Sequence, residues 1–190
     1  MPMIDFLKAQ WLFLRELRNN PGAIGAVFPS SRKLGRVMGA QIPADTKGLI
    51  VELGAGTGSI TKALRKRFPD EKLIIVERSK NMCKYLKKRF PSVNIVLGDA
   101  IDLHDLLAAF DKPVDAIVSS LPLRSLDKAI INKIEEAAFN SLSVNGVFIQ
   151  FTYDPRDNAA DILPRFEYLY RKKVWCNVPP AKVDVYKKCR

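Results

Sequence analysis

The chain has 190 residues, of which 47% are hydrophobic and 27% are charged. This length and composition are typical of one globular domain with its own core, and they exclude a disordered chain or a protein with several membrane spans. The 31 Lys and Arg residues outnumber the 20 Asp and Glu residues, and the net charge of +11 favours an anionic partner, nucleic acid or an acidic membrane surface. Three cysteines without a CxxC spacing and one histidine predict neither a metal site nor a disulfide framework, which fits a reducing cytosol.

The first predicted element is an amphipathic helix over residues 3–18, with a broad apolar face opposite its charged side chains. This helix either packs on the domain or lies in a membrane interface. A second helix is predicted after the serine pair at positions 30 and 31, and it carries Arg32 and Lys33 in its first turns. We therefore predict a helical cap over residues 1–46.

From residue 48 onwards, short apolar runs alternate with helical patterns. This alternation predicts βαβ units and a parallel sheet whose strands are covered on both faces. Two further strands, at 166–175 and 182–187, are predicted to form a hairpin, which completes an α/β domain over 47–190. The earlier strands are predicted at 48–53, 72–76, 93–97, 114–119 and 147–153, and the helices at 59–68, 79–90, 102–110 and 126–142.

A glycine-rich loop follows the first of these strands and reads Gly54-Ala55-Gly56-Thr57-Gly58, directly after Glu52-Leu53. Glycines at such a place allow a tight turn and the close approach of a ligand. A dinucleotide loop would read G-x-G-x-x-G, and Glu52 would face an anionic pyrophosphate, so NAD is disfavoured. A ligand with a cationic amino group or sulfonium suits this loop better.

Two more acidic residues stand at the ends of the next two strands. Glu77 ends the second strand, where an acid can accept hydrogen bonds from both ribose hydroxyls of an adenosine ligand. Asp99, in the sequence Gly98-Asp99-Ala100, follows the third strand and can accept from the exocyclic amine of adenine. The three sites therefore occur in order at the ends of three successive strands.

Together these motifs resemble the class I S-adenosylmethionine-dependent methyltransferases over about residues 48–190. The resemblance implies a Rossmann-like, seven-stranded, mostly parallel sheet with an antiparallel last strand, here with an N-terminal helical extension. It also implies that S-adenosyl-L-methionine is the cofactor. The implied cofactor-binding residues are Glu52, Gly54, Ala55, Gly56, Thr57, Gly58, Glu77, Arg78, Asp99, Ala100 and Ser119.

The acceptor of the methyl group is indicated by the segment after the fourth strand, Ser120-Leu121-Pro122-Leu123. Enzymes that methylate the adenine N6 amine carry Asn/Asp-Pro-Pro-aromatic there, and the aromatic ring stacks on the extruded base. The missing Asn and aromatic residue disfavour an rRNA adenine dimethylase. That activity stays open as an alternative, together with a small-amine methyltransferase and a basic membrane-binding or RNA-binding module without enzymatic activity.

The chain also resembles the bacterial phospholipid N-methyltransferases, through its amphipathic start and the segments 25–32, 120–123, 148–153 and 174–181. This resemblance implies methylation of phosphatidylethanolamine towards phosphatidylcholine by a cytoplasmic protein associated with the inner face of the membrane. One departure is visible, because Tyr153 precedes Asp154 where a small residue is expected.

The remaining candidate residues follow from what a lipid acceptor would need. An amine must present its lone pair to the methyl group, aromatic faces can hold methylated products, and cations can hold the lipid phosphate. The catalytic candidates are Tyr153 and Ser120, and the substrate-binding candidates are Phe28, Arg32, Lys33, Leu121, Pro122, Arg156 and Trp175.

Overall fold

Helices and strands alternate in the computed structural model, which describes residues 29–154, 159–175 and 180–189. The helix predicted at 3–18, and with it most of the predicted cap, lies outside the described residues. The helices are α1 (Pro29–Gly39), α2 (Ser59–Leu64), α3 (Lys80–Arg89), α4 (Leu103–Leu107) and α5 (Lys128–Ser141). The strands are β1 (Leu49–Leu53), β2 (Leu73–Glu77), β3 (Asn94–Leu97), β4 (Val114–Ser119), β5 (Leu142–Thr152), β6 (Glu167–Val174) and β7 (Ala181–Lys187).

The seven strands form one sheet in the order β3-β2-β1-β4-β5-β7-β6. Strands β1 to β5 are parallel, and β7 lies antiparallel between β5 and β6. The predicted fold class is therefore confirmed, including the antiparallel last strand. Because the chain leaves β1 for β2 on one side and later returns to β4 on the other, the topological switch point lies between β1 and β4.

The central position of β1 and β2 in the sheet determines how deeply their residues are buried. Every residue of β1 and of β2 is buried, as expected for central parallel strands covered on both faces. The core consists of two apolar clusters, one that includes α1, α2 and α3 and another that includes α4 and α5. Both clusters include residues of the central strands, so the loops at the ends of those strands stand on a rigid base.

Helix α1 lies alongside α2, with Gly35 against Ser59 and Ile60 at the start of α2 and Gly39 against Leu64 at its end. The contact is close, because a Cβ on Gly35 would lie 3.0 Å from the Ala63 Cβ atom. The carboxyl end of α1 is held by Arg67, whose guanidinium donates to the carbonyl of Gly39. The first turns of α1, with Arg32 and Lys33, therefore lie at the edge of the sheet where the strands β1 to β6 end.

Several element bounds differ from the predicted ones for local reasons. Strand β5 begins at Leu142 rather than 147, because its pairing with β4 continues across a bulge in which Asn145 has a φ of 67°. The third predicted helix opens with a 3₁₀ turn over Ala100–Asp102 before α4 begins. In the described part of the chain, no helix combines the length and the hydropathy needed to span a membrane.

Candidate active site

The glycine loop lies at the carboxyl end of β1, next to the switch point. Gly54, Gly56 and Gly58 have φ values of 70°, 54° and 76°, a region that side-chain-bearing residues rarely adopt. The loop is held at both ends, because the N–H of Gly54 donates to the carbonyl of Val76 and that of Gly58 to Ala55. The loop conformation therefore requires glycine at the three positions where the sequence has it.

Glu77 joins the end of β2 to this loop. One carboxylate oxygen accepts from the Gly56 N–H at 3.1 Å, and the other accepts from the Ser79 N–H at 2.9 Å. The side chain is buried within β2. Glu77, which the sequence predicts to hold a ribose, therefore lies beside the loop with its carboxylate in a fixed orientation.

Glu52 is completely buried within β1. The Thr61 hydroxyl donates to its Oε2 atom at 2.6 Å, while Oε1 has no hydrogen-bond partner in the described part of the chain. Burial raises the pKa of Glu52 to about 7. A cation bound near this carboxylate would favour its ionised form. Thr61, on α2 and nine positions after Glu52, was not identified from the sequence.

The residues predicted to meet adenine lie after β3. Asp99 caps the following 3₁₀ turn by accepting from the Ile101 N–H, and its other carboxylate oxygen lies 3.5 Å from the Arg78 guanidinium. Ala100 is buried, whereas the side chain of Ile101 is partly exposed beside it. The contact between Arg78 and Asp99 thus links the loop after β2 to the loop after β3, at the edge of the sheet that carries the glycine loop.

The cradle fits S-adenosylmethionine, the cofactor that the family resemblance implies. A Cβ on Gly56 would meet no atom within 4 Å, so this loop has open space above it. The adjacent Glu52 and Glu77 are acidic, and the unpartnered Oε1 of Glu52 suits a ligand that carries positive charge. Ala55 and Thr57 complete the loop, and Arg89 fixes it by donating to the Thr57 carbonyl at 2.7 Å.

A second pocket opens where β4 and β5 end, and we call it the acceptor pocket. It brings four predicted residues together, Ser120, Leu121, Pro122 and Tyr153. A Cβ on Gly54 would lie 2.8 Å from the Leu121 Cδ2 atom, so Leu121 separates this pocket from the glycine loop. The pocket is also lined by Leu123, Arg124, Ser125, Gln150, Phe151, Thr152, Asp154, Ile162, Asp184 and Tyr186.

The acceptor pocket contains buried charges that sequence analysis did not identify as functional. Asp184 on β7 pairs with Arg171 on β6, with N–O distances of 2.5 and 3.0 Å. Asp154, where the family pattern expects a small residue, lies 3.8 Å from Arg124. Arg124 and Asp154 are distant in the chain, and Arg171 and Asp184 face each other across the β6–β7 hairpin, so each pair depends on a register that the sequence does not specify.

The two tyrosines of the pocket differ in their surroundings. The Tyr186 hydroxyl donates to the Ala159 carbonyl at 2.9 Å, and burial raises its pKa far above the ordinary value. Tyr186 is therefore unsuited to accept a proton near neutral pH. Tyr153 is half-buried and packs edge-on against Phe151, with ring centroids 5.4 Å apart.

The remaining candidates do not line the pocket. Arg32 and Lys33 are exposed on the first turns of α1. Trp175 is 71% exposed just after β6, and the Lys173 ammonium lies over its ring. Ser119 is buried at the end of β4, where its hydroxyl accepts from the Leu121 N–H. Phe28 and Arg156 lie outside the described residues. Within those residues no cluster of three or more His, Cys, Asp or Glu forms a candidate metal site.

Known proteins that resemble this chain in sequence are methyltransferases. The family profile described as "Methyltransferase domain" matches residues 50–146. The chain is 34% identical over 154 residues to ornithine lipid N-methyltransferase of Singulisphaera acidiphila, covering 78% of this chain and 80% of the relative. It is 36% identical over 153 residues to ribosomal RNA small subunit methyltransferase A of Mycoplasma capricolum, covering 72% of this chain but only 56% of that relative.

A solved structure shows the same fold at low sequence identity. The N-methyltransferase NodS from Bradyrhizobium japonicum WM9, in complex with S-adenosyl-L-homocysteine, has a TM-score of 0.73 and 13% identity to this chain. The superposition covers 93% of this chain and 96% of NodS. At this level of identity the likeness concerns the fold.

Proposed function

The chain belongs to the class I S-adenosylmethionine-dependent methyltransferases, and on that premise we propose that it methylates the primary amine of a membrane lipid headgroup. Phosphatidylethanolamine is the acceptor that we propose, with transfer continuing towards phosphatidylcholine. The ornithine lipid N-methyltransferase that the chain resembles over most of its length also has a lipid as its named substrate, which supports this class of acceptor.

The observation that carries the proposal is the contact between the glycine loop and the acceptor pocket. Leu121 and Pro122 form an apolar wall at this junction, and the segment after β4 offers no aromatic ring on which a base could stack. A small amino headgroup matches such a pocket better than a nucleobase does. The ionic side chains in the pocket are paired with each other, so they do not give it a strong net charge.

Each of the proposed cofactor-binding residues has a separate role. S-adenosylmethionine, when bound, would supply the methyl group to the amine lone pair, and the electron pair of its carbon–sulfur bond would remain on sulfur. In this proposal Glu77 holds the ribose hydroxyls, Glu52 favours positive charge near the loop, and Asp99 accepts from the adenine amine. Holding both partners in line is a major part of the catalytic effect.

The amine must also lose a proton. A primary amine is an ammonium at neutral pH, and its lone pair is free only after that proton leaves. We propose that the proton leaves to solvent through the open mouth of the acceptor pocket, since the pocket's two carboxylates are paired with arginines and the Tyr186 hydroxyl is engaged with a backbone carbonyl.

We further propose that the protein works at the inner face of the cytoplasmic membrane without spanning it. The net charge of +11 suits an anionic leaflet. Arg32, Lys33 and the exposed Trp175 all belong to the edge of the sheet that carries the cofactor cradle. Docking through this edge would bring lipid headgroups to the acceptor pocket.

The test is transfer of label from methyl-labelled S-adenosylmethionine to three separate acceptors. These are vesicles of phosphatidylethanolamine with an anionic lipid, vesicles of ornithine lipid with the same anionic lipid, and total RNA. The proposal expects label in phosphatidylethanolamine, and Glu77→Ala should abolish it at low cofactor concentration. Label in ornithine lipid alone would replace the named acceptor, and label in RNA alone would overturn the lipid proposal in favour of the nucleic-acid alternative.

A further inference from the structure

Two buried side-chain oxygens of the acceptor pocket lack a hydrogen-bond partner within the described residues, Ser120 Oγ and Gln150 Oε1. We propose that these two oxygens accept the N–H groups of the acceptor amine and make the pocket selective for amines that still carry N–H groups. This inference rests on the proposed function, and it adds Gln150 to the site as a specificity-determining residue.

The orientation of the Gln150 amide is fixed by its own contacts. Its Nε2 atom donates to the Leu121 carbonyl at 2.9 Å and to the Phe151 carbonyl at 2.6 Å. Both partners are pure acceptors, so the NH₂ group must lie on that side. The Oε1 atom is left as the unpartnered acceptor of a side chain that is only 4% exposed and lines the pocket.

Ser120 is held beside the glycine loop by its backbone, because its N–H donates to the carbonyl of Leu53 at the end of β1. Its buried hydroxyl oxygen has no hydrogen-bond partner in the described part of the chain, whereas the neighbouring Ser119 hydroxyl accepts from the Leu121 N–H at 3.3 Å. The two serines therefore differ in their remaining hydrogen-bonding capacity. Of the two, Ser120 lines the pocket, and its hydroxyl is available to a bound molecule.

Buried polar groups are normally hydrogen-bonded, so a pair of unpartnered acceptors in one pocket indicates a ligand with matching donors. A neutral primary amine has two N–H groups and one lone pair. With its two N–H groups bound by two neutral oxygens, its lone pair remains free. An unpaired carboxylate at the same place would stabilise the ammonium instead and hold the lone pair in an N–H bond.

The number of donors falls with each transfer. Every new carbon–nitrogen bond is followed by loss of one proton to water while an N–H is still present, so the second amine presents one N–H and the third presents none. Binding through Ser120 and Gln150 is therefore strongest for the unmethylated headgroup and absent for the quaternary one. The pocket would release its final product for the same reason.

Binding in the absence of transfer tests this inference. The full chain, saturated with S-adenosylhomocysteine, is titrated with dihexanoyl phosphatidylethanolamine and with dihexanoyl phosphatidylcholine, both short enough to stay monomeric. We expect the wild type to bind the primary amine about fivefold more tightly than the quaternary analogue, the effect of roughly one net hydrogen bond. Ser120→Ala and Gln150→Met should each reduce this ratio to about twofold or less.

Two further variants separate recognition from a general loss of structure. Ser120→Thr keeps a hydroxyl and should restore most of the ratio. Ser141→Ala removes a hydroxyl that donates to the Ala137 carbonyl on α5, away from the pocket, and should leave the ratio at the wild-type value. If Gln150→Met does not fold, the Ser120 pair of variants still decides the result.

The possible outcomes distinguish this inference from the proposed function. An unchanged binding ratio in Ser120→Ala overturns the inference, even if the wild type transfers label to phosphatidylethanolamine and the proposed function stands. Absence of label in every lipid overturns the proposed function instead. A reduced ratio in Ser120→Ala, together with restoration by Ser120→Thr, supports the assignment of the two oxygens.

Discussion

At the scale of single residues, the positions of the site residues can be predicted from the sequence, but the raised pKa of Glu52 results from its burial in the folded chain. The sequence places Glu52 before the glycine loop, but its complete burial and the hydrogen bond that it accepts from the Thr61 hydroxyl are features of the folded chain. Burial raises its pKa to about 7 from the ordinary value of 4.5, whereas hydrogen bonding to Thr61 acts in the opposite direction. The carboxylate is therefore poised to change its ionisation when a cation binds nearby.

The first prediction concerns stability and pH. The unfolded chain loses the Glu52 proton near pH 4.5 and the folded chain near pH 7, so this residue lowers the free energy of unfolding as the pH rises between those values. The loss amounts to about 3 kcal/mol. In the cofactor-free protein, Glu52→Gln should remove this dependence and stabilise the fold at pH 8, while weakening S-adenosylmethionine binding.

Urea unfolding at pH 5 and pH 8 checks this prediction, with Glu71→Gln, at a position in the exposed 3₁₀ turn before β2, as the control. The variant and the wild type should differ by more at pH 8 than at pH 5. The same difference at both values would show that Glu52 stays ionised throughout this range.

The second prediction compares two glycines of one loop. At Gly58 a Cβ would lie 2.4 Å from the Phe90 ring, whereas at Gly56 it would meet nothing within 4 Å. Gly58→Ala should therefore lower the free energy of unfolding by roughly 2 kcal/mol or more, from overlap added to strain at positive φ. Gly56→Ala should lower it by about 1 kcal/mol and should mainly weaken cofactor binding.

Thermal unfolding and cofactor titration of both variants separate these effects. A Gly56→Ala protein with wild-type cofactor affinity would mean that the open space above the loop is not where the cofactor lies.

At the scale of elements, the order of strands and the hairpin of β6 and β7 follow from patterns in the sequence. Apolar runs that end in Glu77 and Asp99 predict strands whose ends meet at one edge, and the structure has this arrangement. The pocket walls are less predictable, because Gln150 on β5, Asp184 on β7 and Arg124 after β4 come together only through the sheet order. Alternation along β7 indicates that Asp184 is inward, but not which cation pairs with it.

The third prediction concerns this pairing across β6 and β7. The side chains of Arg171 and Asp184 are 9% and 2% exposed, so removal of the Asp184 charge takes a carboxylate partner from a buried guanidinium. Asp184→Asn should lower the free energy of unfolding by about 3–5 kcal/mol. Arg65 and Asp70 form a similar two-bond pair with side chains that are 34% and 20% exposed, and Asp70→Asn should lower it by about 1 kcal/mol or less.

Urea unfolding of the two Asn variants gives the comparison directly. Equal losses in the two variants would contradict the view that burial sets the strength of the Arg171–Asp184 pair.

At the scale of the whole molecule, the fold places the cofactor cradle, the acceptor pocket and the first turns of α1 at one edge of the sheet. The opposite edge, where the strands begin, lies roughly 17 Å away for a five-residue strand. This distance exceeds the Debye length of about 8 Å at physiological salt, so charges at the two edges act separately on a surface. The net charge of +11 alone does not select either edge.

The fourth prediction uses this separation. Arg32→Glu combined with Lys33→Glu should weaken binding to vesicles with anionic lipid by roughly tenfold or more, since each basic residue near such a surface contributes about 1 kcal/mol. The matched control is Lys47→Glu with Lys112→Glu, which changes the charge equally at exposed positions near the opposite edge. Cofactor affinity should be unchanged in the control.

Vesicle sedimentation at low and physiological salt is the measurement. If the control pair weakens vesicle binding as much as the pair on α1 does, docking depends on overall charge and not on the edge that carries the site.

The central claim is that the methyl group is transferred to a headgroup nitrogen. Tandem mass spectrometry of phosphatidylethanolamine vesicles incubated with the protein and deuteriomethyl S-adenosylmethionine tests it most directly, because fragmentation separates the headgroup from the acyl chains. The account predicts headgroup fragments with one to three deuteriomethyl groups on nitrogen. Deuteriomethyl groups found only on the acyl chains, or unlabelled lipid beside a protein that binds the cofactor, would contradict it.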